Sequence, residues 1–262
     1  MTAVHRVVAP NPGPYTGPGT NTWIVEAGPV LAVIDPGPDD ESHLAAINKR
    51  IGGATVGVVL VTHSHPDHLP LAERLAASHH ASVQRYPELG DQDVVRVGTL
   101  NVTALHTPGH SADHLCFWLE GDRALFTGDL ILGRGSSMVT YPEGNVADYL
   151  HSLDKVASLN PWLLFAGHWD PVEDAMGKID EYRKHRFERE AQVLAEVRRG
   201  QGTAQELTRR VYGDLDDKLM VAAEMTMRAH LRKLVDDVWF GPAARVMKRF
   251  STRRYLRRGV RP

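Results

Sequence analysis

At 262 residues, with 42% hydrophobic and 24% charged residues and a formal net charge of −2, the chain has room for one large two-layer domain plus a small appendage. No basic stretch followed by an apolar leader opens it, and nowhere do about 18 apolar residues run unbroken. With one cysteine, Cys116, no internal disulfide can form, so secretion and membrane spanning are not expected and a cytoplasmic location is.

Residues 10–20 are rich in Pro and Gly and read as a loop. Trp23-Ile24-Val25 and Leu31-Ala32-Val33-Ile34 read as strands, and the second ends in the turn Asp35-Pro36-Gly37. Asp35 is expected to support a site rather than to ligate. A helix is expected over residues 41–50, a buried strand over 58–61, and a second helix over 71–79, with Pro70 tolerable near its first turn. Further strands are expected around Val94-Val95, Leu100-Asn101-Val102, residues 115–119, Leu125-Phe126 and residues 162–165. Beyond about Ala175 the pattern becomes helical. Ile179, Tyr182, Phe187, Leu194 and Val197 recur at near-helical spacing up to Gly200-Gln201-Gly202, and a short helix is expected after Thr203. A third helix carries Leu219, Ala223, Met227, Leu231, Leu234 and Val238. Residues 245–262 then hold eight basic side chains and no acid, which leaves −10 on the remainder. Such a tail attracts nucleic acid or another anionic surface, or is simply a solvated terminus.

The chemistry concentrates after residues 58–61, in Thr62-His63-Ser64-His65-Pro66-Asp67-His68. Three imidazoles and a carboxylate at a strand end form a metal-ligand pattern, too spread out to crowd around one tetrahedral ion, so two adjacent metals are expected. Further candidates follow other apolar runs: His110 in Thr107-Pro108-Gly109-His110, Asp129 in Thr127-Gly128-Asp129, and His168 in Ala166-Gly167-His168. Each strand is followed by a turn that delivers one ligand.

On these residues the chain resembles the metallo-beta-lactamase superfamily of binuclear hydrolases, through its HxHxDH motif and the later His, Asp and His in the same order. The resemblance implies an α/β fold, an αββα sandwich of facing sheets with helices outside. It also implies that His63, His65 and His110 hold a first metal, that Asp67, His68 and His168 hold a second, and that Asp129 bridges them. Asp67 and Asp129 are the carboxylates read as catalytic. With His65, not Glu, at the motif's second histidine, the chain looks unlike the di-iron oxidoreductase branch. Five imidazoles with two carboxylates favour two zinc ions, although manganese and iron also fit. The stretches Gly109-His110-Ser111-Ala112-Asp113-His114 and residues 128–136, with the C-terminal helices, resemble the beta-lactamase-like protein 2 group from about residue 21 to 239. That group includes a single-strand-specific endoribonuclease. Two departures stand out: Leu69-Pro70 follows the motif, and Trp169 replaces the second Gly of the usual Gly-His-Gly.

The expected organisation is a catalytic domain over 1–175, a winged-helix-like module over 176–244 and a basic tail over 245–262. Two bridged ions would lower the pKa of a shared water from ~15.7 towards ~7, so a metal-bridging hydroxide is the expected nucleophile. The expected substrate is single-stranded RNA or another phosphodiester, with Arg134 and Ser136 available to an anionic group. A thioester or acyl ester, as in glyoxalase II relatives, is the alternative. A third reading is a non-catalytic RNA-binding or scaffolding protein with structural metal, against which seven candidate ligands argue. Oligomeric state is left open.

Overall fold

Strands buried on both faces read as unbroken apolar runs, whereas a half-covered strand alternates. Both kinds occur here. In the computed structural model, which describes residues 1–200, 202–213 and 215–240, Leu115–Leu119 is buried at all five positions while Val94–Val97 alternates exposed and buried. The first sheet runs β1 (Val4–Val8), β2 (Asn21–Ala27), β3 (Val30–Ile34), β4 (Thr55–Leu60) and β5 (Ser82–Gln84) in spatial order. The second runs β10 (Leu163–Ala166), β9 (Ala124–Gly128), β8 (Leu115–Leu119), β7 (Leu100–His106) and β6 (Val94–Val97). Pairs β3/β4, β4/β5 and β9/β10 are parallel and the others antiparallel.

Trp23, Ile34, Leu60, Phe117, Phe126 and Phe165 pack between the sheets. On the outer face of the first sheet, Ile24, Val33 and Val59 meet helices α1 (Glu41–Ile51) and α2 (Ala72–Ser78). On the outer face of the second, Leu105, Cys116 and Leu125 meet α3 (Val146–Ser158) and the start of α4 (Ala175–Arg199). The layers are therefore αββα, as expected. Caps fix where the helices begin: Asp40 accepts from the His43 amide at 2.8 Å to start α1, and Asn145 accepts from the Ala147 and Asp148 amides to start α3.

The helix after the histidine motif begins at Ala72, with no side-chain cap. Residues 68–71 make a turn first, in which the His68 and Leu69 amides both donate to the His65 carbonyl. At the C-terminus, α4 is followed by α5 (Ala204–Tyr212), started by a Thr203/Glu206 capping box, and by α6 (Asp217–Phe240). Val193, Leu207, Met227 and Leu231 form their shared core. Two residues of the expected stripes are exposed: Phe187 at 58%, because the buried face of α4 runs through Val193 and Glu196, and Leu219 on α6 at 39%. The Val238 side chain and the basic tail, residues 245–262, lie outside the described residues. No helix among the described residues is long and apolar enough to cross a membrane.

Candidate metal centre

Four chain segments converge at one edge of the sandwich. His63, His65, Asp67 and His68 leave the end of β4, His110 lies in the β7–β8 connection, Asp129 follows β9 and His168 follows β10. Two glycines allow the last two to meet. The Gly167 amide donates to the Gly128 carbonyl at 2.8 Å, and a Cβ on Gly167 would stand 2.6 Å from Asp129 Oδ1 and 2.9 Å from His68 Cε1. Gly128, at φ 45°, faces Thr62 and His114 just as closely, so both positions exclude a larger side chain.

Three groups of ligand atoms result: His63, His65 and His110; His63, His68 and Asp129; and Asp67, His68 and His168. His65 Nδ1 lies 2.9 Å from His63 Nε2 and 3.0 Å from His110 Nε2. Asp67 Oδ2 lies 3.4 Å from His68 Nε2 and 3.3 Å from His168 Nε2. Asp129 faces both sides. Its Oδ1 is 3.5 Å from His68 Nε2 and 3.4 Å from His168 Nε2, while its Oδ2 is 3.7 Å from His110 Nε2. Donors bound to one tetrahedral ion at ~2.0–2.1 Å stand about 3.4 Å apart, close to these separations.

The outer nitrogens decide how the inner ones can act. His65 Nε2 meets the Glu143 carboxylate at 3.0 Å, His110 Nδ1 the Met138 carbonyl at 2.8 Å, His168 Nδ1 the Gly19 carbonyl at 3.2 Å, and His68 Nδ1 the Asp35 carboxylate at 2.9 Å. Each partner only accepts, so each outer nitrogen carries the proton. His63 Nδ1 follows suit, because the Thr62 hydroxyl 2.9 Å away gives its own proton to Asp35 Oδ2. In the neutral rings every inner nitrogen therefore presents a lone pair, and these lone pairs converge with the oxygens of Asp67 and Asp129. His68 Nε2 and Asp129 Oδ1 are buried with no hydrogen-bond partner among the described residues. Convergent lone pairs repel one another unless a cation lies between them. The donor set thus fits divalent metal.

Electrostatics agree. Burial pushes His63 and His110 down, keeping both rings neutral at pH 7. Burial opposes the ionisation of Asp67 and Asp129, yet the neighbouring His68 and His168 hold both carboxyls below the usual carboxylate range. Burial likewise opposes protonation of His168, but Asp129 pulls that ring up to about 9. Asp67 and Asp129 thus place negative charge where the inner nitrogens converge, and a proton on His168 or a bound cation balances it.

Comparisons with known proteins decide the family. The metallo-beta-lactamase superfamily matches residues 15–91 and 83–168, and the beta-lactamase associated winged helix domain matches residues 203–237. The chain is 29% identical to a beta-lactamase-like protein 2 homologue of Caenorhabditis elegans, over 90% of this chain and 85% of the relative. It is 33% identical to an atrochrysone carboxyl ACP thioesterase of Passalora fulva, over 89% of this chain and 76% of the relative. A solved beta-lactamase domain protein from Burkholderia ambifaria shares the fold with a TM-score of 0.78 at 23% identity, over 88% of this chain and 85% of that one. The chain belongs to the metallo-beta-lactamase superfamily. It is accordingly a metal-dependent hydrolase, its fold implies divalent metal ions, and its C-terminal helices include the superfamily's associated winged helix domain.

Around this metallo-beta-lactamase centre, all seven sequence-derived candidates come together. Asp35 supports it as expected, accepting from the Thr62 amide at 2.7 Å, the Thr62 hydroxyl at 2.8 Å and His68. His114 supports it too, its Nε2 accepting from the Asp129 amide at 3.1 Å. His106 instead stacks on Tyr86 at 4.5 Å. The loop over residues 10–20 does more than connect. Its Thr20 hydroxyl donates to Asp67 at 3.1 Å and its Gly19 carbonyl holds His168, while Trp169, at φ 64°, packs on Gly17. Sequence reading missed Glu143, Ser137, which donates to the Asp129 carbonyl, and the Gly19 and Met138 carbonyls.

Proposed function

We propose that the chain is a binuclear hydrolase in which His63, His65 and His110 hold one divalent ion, Asp67, His68 and His168 hold another, and Asp129 joins them. The observation that carries this reading is the placement of Asp129, with one carboxylate oxygen toward each group. Imidazole nitrogens with carboxylate oxygens at tetrahedral spacing favour zinc. When bound, the ions would supply an acidified water and polarise the oxygen under attack. The protein's own residues prepare that chemistry. Asp35, Gly19, Met138 and Glu143 fix the imidazole tautomers, and Thr20 and Ser137 hold the two carboxylate-bearing segments in place.

The substrate best supported is an acyl thioester, whose C–S bond is cleaved by water to a carboxylic acid and a thiol. A relative 33% identical over 89% of this chain bears the name of an acyl carrier protein thioesterase. Single-stranded RNA is the second reading, supported by the likeness to the beta-lactamase-like protein 2 group and by the basic residues 245–262. A cleft of about 450 Å³ beside Ser136 also carries Glu181 and Glu188 against Lys184, which offers no net positive charge to a phosphate backbone. The hydrolase assignment sets aside the scaffolding reading.

The deciding experiment combines elemental analysis of gently purified protein with a panel of acyl-CoA, acyl-N-acetylcysteamine and single-stranded RNA substrates. Two ions per chain with thiol release from the thioesters is the expected result. One ion or none at full activity would remove the binuclear reading, and cleavage of RNA alone would reverse the order of substrates.

A further inference from the structure

Among the imidazoles of the centre, His65 is the least enclosed. Its side chain is 26% exposed, against 0% for His68, 8% for His110 and 1% for His168. Its ring meets those of His63 and His110 edge-on at 4.5 and 4.7 Å, and imidazole torsions are broad when little else holds them. The one hydrogen bond on its outer nitrogen goes to Glu143, at 3.0 Å. Glu143 has no Lys or Arg partner among the described residues, and its carboxylate is 49% exposed.

The backbone places Glu143 with care. It lies in a turn closed by the Gly144 amide donating to the Thr140 carbonyl at 2.6 Å. One end of that turn is fixed to the residue before His110, through the Asn145 amide and the Gly109 carbonyl at 2.9 Å. The other end is fixed to α6, where the Tyr141 amide donates to the Met225 carbonyl at 3.2 Å. A Cβ on Gly144 would stand 2.8 Å from the Gly109 carbonyl oxygen, so the turn sits directly on the His110 segment.

We infer that Glu143 is a positioning residue that orients His65 and keeps its Nδ1 lone pair turned toward the metal, and that helix α6 sets Glu143 in place. This rests on the reading of His65 as a ligand. The carboxylate accepts the Nε2 proton, which commits the lone pair to Nδ1. The C-terminal module thereby contributes to the metal centre through the turn that carries Glu143.

The test measures metal binding apart from turnover. Metal-free full-length protein is titrated with Co²⁺, following the visible spectrum, and Zn²⁺ affinity is measured by competition with a chelator. Glu143→Ala is expected to weaken one of the two ions by about 10–100-fold and to change the Co²⁺ spectrum. Glu143→Gln, whose amide oxygen still accepts, is expected to recover part of that loss. Metal-free Glu143→Ala should melt at the wild-type temperature, because the carboxylate is exposed. His65→Ala is the control and should lose one ion. If His65→Ala loses an ion while Glu143→Ala binds both with wild-type affinity and spectrum, the positioning role is overturned and the ligand set survives. If His65→Ala keeps both ions, the ligand reading falls and the role of Glu143 falls with it. A loss in Glu143→Ala that Glu143→Gln does not relieve at all would mark damage to the turn, and would also overturn the proposal.

Discussion

His68 and His230 are equally buried, both at 0% exposure, and the molecule treats them in opposite ways. His68 has Asp35 on one ring nitrogen and faces Asp67 and Asp129 with the other. His230, on α6, has no hydrogen-bond partner on either nitrogen among the described residues. Its charged neighbours are cations, Arg186, Arg189 and Lys233. Burial, Asp129, Asp35 and Asp67 compete at His68, and the carboxylates win, so its pKa rises well above the ordinary value. Burial and then the two arginines push His230 down to about 3. A buried histidine is thus evidence of a site only when a partner fixes its proton and something convergent faces the other nitrogen. Burial alone marks packing.

The sharpest way to break this contrast is Asp129→Asn. It should lower kcat/KM on the identified substrate by about 10³-fold or more, on the order of 4 kcal/mol. Circular dichroism should show the C-terminal helices unchanged, since α5 and α6 take no support from Asp129. Activity within tenfold of wild type would mean that the two ligand groups do not depend on a shared carboxylate.

Asp35→Ala should cost about 3–5 kcal/mol of stability, because it strips a buried carboxylate from His68 and from both the amide and hydroxyl of Thr62. Denaturant melts of the metal-free protein read this directly. A cost below about 1 kcal/mol would make Asp35 dispensable to the supporting network.

His230 supplies the opposite sign. Its folded pKa lies below the unfolded value of 6.5, so the unfolded chain binds the proton first as pH falls. The neutral ring's contribution is therefore intact above pH 6.5 and is lost progressively below it, amounting to about 2 kcal/mol at pH 5. His230→Leu should remove this acid sensitivity and, by deleting two unpartnered polar atoms, stabilise the neutral protein by about 1–2 kcal/mol. Parallel slopes of stability against pH in wild type and His230→Leu between pH 7 and 5 would show that the ring is not held neutral.

The smallest effect concerns the tail. With a small thioester as substrate, deleting residues 245–262 should change turnover less than twofold, since eight basic side chains would act on an extended anionic partner and not on a small acyl group. A larger drop would bring the phosphodiester reading forward.

The candidate ligands that the structure brings together were legible in the sequence because each follows an apolar strand and stands in a short polar turn, so His63, His65, Asp67, His68, His110, Asp129 and His168 announce themselves locally. The three C-terminal helices were legible through their spacing. Their buried faces were less so, as the exposed Phe187 shows, because the buried position beside it is Arg186, which apolar spacing does not mark. Strands β1 and β5 escaped notice. β1 is an edge strand of partly covered residues, and β5 is three residues long and recruited by backbone pairing with β4. The supports of the centre were the least readable part. The carbonyls of Gly19 and Met138 belong to no residue type, and Glu143 lies in a turn whose sequence resembles any surface turn.

Arg186 is 2% exposed and has no carboxylate partner among the described residues. Its guanidinium lies 4.7 Å over the Tyr149 ring and donates to the Ser137 carbonyl, while on the same helix the Tyr182 hydroxyl accepts from the Leu132 amide at 2.9 Å. An expression boundary or recombination breakpoint at residue 175 would look natural on a diagram of the chain. It would strand the Leu132 amide and the Ser137 carbonyl in an unsealed seam beside Asp129. Exchanging the helical module of this chain without its 130–140 loop would lose these contacts.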